Sequence, residues 1–109
     1  MQSLEFKDLC TTEINVYELV VGTELKNEKK SEELQKILSM LSRIKVFPID
    51  RKSSIKAGSI SGNLRKKGNI IGDNDCLVAG TALANGVTTI VTRNKKHFER
   101  ITEIKVMSY

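Results

Sequence analysis

Glu18 and Asp75 are acids set in apolar company. Glu18 sits inside Val16-Tyr17-Glu18-Leu19-Val20-Val21. Asp75 directly precedes Cys76-Leu77-Val78-Ala79-Gly80-Thr81-Ala82-Leu83-Ala84, the most apolar run of the chain. An ionised carboxylate taken from water is costly unless it is paired. Two chemistries account for the pair. In the first, Asp73 is a helix N-cap, Asp75 sits in the first turn where the helix dipole favours negative charge, and Glu18 is an edge-of-core acid reaching water. In the second, Glu18 and Asp75, with Asp73, hold a hard divalent cation. Oxygen ligands suit Mg²⁺ or Mn²⁺, which keep bound waters available for reaction. Asn94 is the third element. It follows the β-rich stretch Val87–Thr92, and ligand sites in open parallel sheets lie beyond the carboxyl ends of strands.

Other chemistries lack their residues. No G-x-G-x-x-G follows a strand, and no G-x-x-x-x-G-K-[ST] is present. Asp73-Asn74-Asp75 is no calcium loop, because no Gly or closing Glu stands at the required offset. His97 is the sole histidine, without a strand–turn–helix nucleophile elbow. It reads as a surface or structural histidine. Cys10 and Cys76 form no C-x-x-C and lie beside apolar residues. They read as buried free thiols, and a zinc site is not expected.

These residues need elements to position them. Asp8–Thr11 reads as a short strand, and Thr11 or Thr12 as the cap of a helix. Ile14, Tyr17, Val21 and Leu25 form an apolar stripe, widened by Val16, Leu19 and Val20, so this helix is expected to be well buried. A second helix starts at Ser31 with Leu34, Ile37, Leu38 and Leu41 at helical spacing. Arg43–Phe47 is a short strand stopped by Pro48. Asp50 caps a helix from Arg51 to Lys67, whose sparse apolar set is Ile55, Ile60 and Leu64. Gly58 and Gly62 suggest close packing on one face. Arg51, Lys52, Lys56, Arg65, Lys66 and Lys67 line the other, and Gly68 ends the helix. Cys76–Ala84 is apolar all round, a helix buried among other elements and closed by Asn85-Gly86. The strand Val87–Thr92, one helical turn at His97–Ile101 and a last strand Ile104–Met107 follow. This order predicts an α/β fold, a three-layer α/β/α sandwich with a mostly parallel central sheet.

The chain has 109 residues, enough for one domain spanning 1–109. No apolar run is long enough to cross a bilayer, and the N-terminus does not read as a secretory signal, so a cytoplasmic location without membrane attachment is expected. The net charge of +5 is unevenly spread. Residues 1–42 carry five Lys/Arg against eight Asp/Glu, and residues 43–109 thirteen against five. A basic remainder of this kind suits a polyanion, most simply nucleic acid, or is a merely solvated face.

Three segments resemble a known family. Thr11-Thr12-Glu13-Ile14-Asn15-Val16-Tyr17-Glu18-Leu19-Val20-Val21-Gly22 is similar to the segment around the second acid of PIN-domain nucleases. Asp75-Cys76-Leu77-Val78-Ala79 resembles the family's D-x-L-[IV]-A helix. Ile90-Val91-Thr92-Arg93-Asn94-Lys95-Lys96-His97-Phe98 resembles its L-V-T-x-[DN]-x-x-x-F segment. The branch most like this chain is the VapC-type toxin ribonucleases. The resemblance implies Glu18, Asp75 and Asn94 as catalytic positions, with Mg²⁺ or Mn²⁺ as cofactor and RNA as substrate. It also implies a homodimer and a small VapB-like antitoxin. Arg51, Lys52, Lys66, Lys67, Arg93 and Lys95 are then expected to attract the RNA backbone. One departure stands out. The family's first acid lies on an N-terminal strand in a D-[ST]-[NS] pattern followed by a helix, and the sequence has no such pattern. The expectation is an N-terminally truncated PIN-like domain short of roughly 20–30 residues, a strand and a helix at ordinary lengths. The alternative function is an inactive remnant serving as an RNA-binding or protein-interaction module.

Overall fold

The computed structural model describes residues 10–26, 29–91 and 95–107. They divide into two compact units, Met1–Pro48 and Ile49–Tyr109. In the first, β1 (Cys10–Thr12) leads into α1 (Glu13–Leu25), then α2 (Lys30–Leu41) and β2 (Lys45–Phe47). β1 and β2 pair in parallel, with Cys10 opposite Lys45 and Thr12 opposite Phe47. Asp8 of the expected first strand lies outside the described residues.

Thr12 starts α1 with a reciprocal cap. Its backbone N–H donates to Asn15 Oδ1 at 3.2 Å, and the Asn15 N–H donates to Thr12 Oγ1 at 3.3 Å. Two otherwise orphaned donors are thereby satisfied at the strand–helix junction. Thr12→Ala is expected to cost about 1 kcal/mol, read as a lower denaturation midpoint at unchanged slope.

The expected burial of α1 is not found. Tyr17, Leu19, Val20, Val21 and Leu25 are exposed, and Thr23 is the buried residue of the helix. The reason is geometric. A helix apolar on every side is buried only when enclosed on every side, whereas within this unit it packs against α2 and β1. On α2, Ile37 and Leu41 are half-buried while Leu34 and Leu38 are exposed. Cys10 is likewise exposed, against expectation, since burial along β1 rises only toward Thr12 at the junction with α1.

The second unit holds α3 (Arg51–Lys66), α4 (Asp73–Ala84), β3 (Thr89–Val91), α5 (Lys95–Glu99) and β4 (Lys105–Met107). β3 and β4 are parallel, with Thr89 opposite Lys105. Asp50 caps α3 as expected: its Oδ1 accepts from the Ser53 N–H at 3.0 Å and the Ser53 hydroxyl at 2.7 Å. Those bonds hold the Asp50 carboxyl below its ordinary range. Both long helices end in Schellman turns. Gly68 and Gly86 take the left-handed position, and Asn69 and Val87 donate back to Leu64 and Ala82.

The core of this unit lies between α3 and α4. Ala57, Ile60 and Leu64 of α3 and Cys76, Val78, Ala79 and Ala82 of α4 are buried, with Ile71, Phe98, Ile101 and Ile104 closing the sides. Ser53 replaces the expected Ile55 on the inner face, since Ile55 is exposed. The glycine expectation is also corrected. Gly58 and Gly62 face open space, and the close approach is made by Gly80, where a Cβ would stand 2.5 Å from the Ala57 Cα and N. Two ties complete the unit. Lys56 Nζ meets Glu103 Oε2 at 2.9 Å, and Arg100 Nη1 donates to the Ile70 carbonyl at 2.8 Å.

Candidate functional site

The head of α4 carries the acids. Its N-cap is Gly72, not Asp73, which is the first residue of the helix. Glycine reaches the extended cap conformation and leaves both acids in the first turn, where the dipole still favours them. Asp73 and Asp75 are two residues apart and therefore point to different sides of the helix. Asp73 is widely exposed, 3.4 Å from Arg65 Nη2. Asp75 is different: its side chain is 17% exposed, and its Oδ2 lies 2.8 Å from His97 Nδ1 on α5. A carboxylate only accepts, so the Nδ1 proton is donated to Oδ2.

The helix that presents His97 is itself anchored. Phe98, its neighbour, is buried, and Arg100 just beyond holds the Ile70 carbonyl. His97 is a surface histidine, as expected, and its ring is satisfied by Asp75. A signal was present: His97 lies next to the Phe of the third family segment, on the same turn. What the sequence could not supply was the partner, 22 positions away.

Glu18 stands exposed on α1 in the first unit. Asn94 and Arg93 lie outside the described residues. Arg51, Lys52, Lys66 and Lys67 are all exposed. The two pairs belong to opposite ends of α3, about 22 Å apart at 1.5 Å per residue, so they form two basic patches. Lys95 is exposed on α5, 3.7 Å from Glu99. Among the described residues, no group of three or more His, Cys, Asp or Glu side chains is close enough to hold a metal. Nor is any described helix long and apolar enough to cross a membrane.

The donor chemistry at Asp75 suits a hard cation. It is a carboxylate, half-withdrawn from water, with one oxygen held by an imidazole in the manner of an outer partner to a metal ligand. Its unit is α/β with the parallel strand pair β3 and β4, and the other unit likewise pairs β1 and β2 in parallel.

Comparison with known proteins places that fold. The PIN-domain model matches residues 2–104, and the chain belongs to the PIN-domain family. It is 32% identical over 104 residues to the tRNA(fMet)-specific endonuclease VapC of Salmonella typhimurium, covering 95% of this chain and 77% of that one. Among solved structures it resembles VapBC2 from Rickettsia felis bound to a promoter DNA fragment, with TM-score 0.80 and 32% identity over 91% of this chain and 73% of that one. VapBC-1 from nontypeable Haemophilus influenzae superimposes with TM-score 0.84 at 26% identity, covering 98% of this chain and 78% of that one. The three-segment resemblance and the α/β expectation are both borne out.

Proposed function

We propose that this chain is a metal-dependent endoribonuclease of the VapC type, the toxin of a toxin–antitoxin pair acting in the cytoplasm. The observation that carries the reading is the family match over residues 2–104 in a chain whose relatives are VapC ribonucleases. Nucleases of this family are metal-dependent in general. Mg²⁺ or Mn²⁺ is our assignment, on the oxygen-donor set of Glu18 and Asp75. Residues 1–109 act as one PIN-like domain in this reading.

The roles follow from residue chemistry. The cation, when bound, lowers the pKa of a coordinated water and neutralises charge on the scissile phosphate. Glu18 and Asp75 supply the negative charge that holds it. Asn94, at the fourth motif position, supplies a neutral oxygen. Asp73, 3.4 Å from Arg65, adds to the negative field at the head of α4. Arg51 and Lys52 at one end of α3, Lys66 and Lys67 at the other, and Arg93 and Lys95 draw the RNA backbone by charge alone, so binding weakens as salt rises. A VapB-like antitoxin is the partner, since the structural relatives from Rickettsia felis and Haemophilus influenzae are VapBC complexes, and a homodimer is the assembly that the family resemblance implies.

The test is RNA cleavage with and without Mg²⁺, by wild type and Glu18→Gln. Removing one anionic ligand is expected to slow cleavage by about 100-fold or more, roughly 2.7 kcal/mol in the barrier. Equal rates in the two proteins would overturn the assignment. A second reading draws on the sequence's lack of the family's D-[ST]-[NS] pattern around the first acid. It is an RNA-binding or protein-interaction module, and salt-sensitive RNA binding without metal-dependent cleavage would establish its RNA-binding form.

A further inference from the structure

We propose that His97 is a positioning residue for the metal-binding carboxylate of Asp75. The inference rests on the reading of Asp75 as a cation ligand and adds a residue to it. Three observations carry it. His97 Nδ1 lies 2.8 Å from Asp75 Oδ2. Asp75 is the more withdrawn carboxylate of the α4 head, 17% exposed against 80% for Asp73. Finally, α5 is anchored beside His97 by the buried Phe98 ring and, just beyond it, by Arg100 donating to the Ile70 carbonyl at 2.8 Å.

The physical role follows from what a first-turn aspartate does when left alone. Free backbone N–H groups at a helix N-terminus attract a carboxylate inward. A side chain folded back onto its own helix is not presented to a cation. The imidazole bond pins Oδ2 from the outside. It sets the plane of the carboxylate and removes rotamer freedom that cation binding would otherwise have to suppress. Oδ1 is left without a bond to His97 and would be the oxygen available to a cation. An imidazole suits the task because its ring is rigid and its Nδ1 sits close to the backbone of α5, a five-residue helix held by the buried Phe98.

The experiment is Mn²⁺ binding to the full chain, measured by the electron paramagnetic resonance of free Mn²⁺. Four proteins are compared: wild type, Asp75→Asn, His97→Ala and His97→Asn. Asparagine places an amide nitrogen where Nδ1 stands, so it retains the donor without the ring. His97→Ala is expected to weaken Mn²⁺ affinity by about 10-fold, the lower end of the ~10–100-fold range for outer partners of metal ligands. His97→Asn should restore most of that loss, which a role in packing alone would not allow. Wild-type affinity in His97→Ala, with loss in Asp75→Asn, overturns the positioning role and leaves the metal site standing. So does an equal loss in His97→Ala and His97→Asn. Undiminished binding in Asp75→Asn, or no binding by wild type, overturns the metal reading and the inference together.

Discussion

Asp75→Asn is expected to reduce metal-dependent RNA cleavage by about 100-fold or more while the protein stays folded. The substitution preserves shape and removes charge. Asparagine still offers an oxygen to His97 Nδ1, so the link between α4 and α5 survives. What is lost is the anion that a hard cation requires. The effect on stability is small by comparison, because one negative charge in a first helical turn contributes roughly 0.3–1 kcal/mol through the dipole. Single-turnover cleavage in Mg²⁺ and in Mn²⁺, beside a denaturation curve, separates the two effects. A variant that cuts RNA at the wild-type rate would remove Asp75 from the mechanism.

Gly80→Val should be the most damaging substitution in the second unit. A Cβ at Gly80 would lie 2.5 Å from the Ala57 backbone N and Cα and 2.6 Å from its Cβ. None of these atoms is the flexible end of a side chain, so relief requires α3 and α4 to separate. Their buried residues then lose contact together. Overpacking of this kind costs typically ~1–3 kcal/mol, and more where backbone must move. We expect about 3 kcal/mol or more, seen as a large drop in denaturation midpoint. Gly58→Ala and Gly62→Ala are the controls. Neither added Cβ meets anything within 4 Å, and alanine is the better helix former, so each is expected to gain up to about 1 kcal/mol. Equal behaviour of Gly58 and Gly80 would show that the helix packing is not as described.

Much of the architecture was readable in the chain. Local signals are short-range, and most held where the structure describes them, the N-cap of α4 being the exception, since Gly72 takes the place expected for Asp73. Thr12 and Asp50 cap α1 and α3, Gly68 and Gly86 close α3 and α4, and α4 is buried through its middle. Each depends on a few neighbouring residues, whose backbone preferences and hydrogen-bonding reach are set by residue type. The family was readable for a similar reason: its three segments are contiguous stretches, and the match covers residues 2–104.

Contacts between distant positions were not readable. Spacing alone favoured Gly58 and Gly62 as the packing glycines, yet Gly80 is the one that touches α3. Helical periodicity says which residues share a face, not which face meets a neighbour. The burial expected for α1 failed for the same reason, since its apolar surface exceeds what β1 and α2 cover in its unit. At the candidate site, the residue types at Glu18, Asp75 and Asn94 pointed to oxygen-ligand chemistry before any coordinates. That Asp73 turns to Arg65 while Asp75 turns to His97 was decided by tertiary structure. A helix rotates residues two apart to opposite sides, and the chain's path from α4 to α5 determines which partner waits on each.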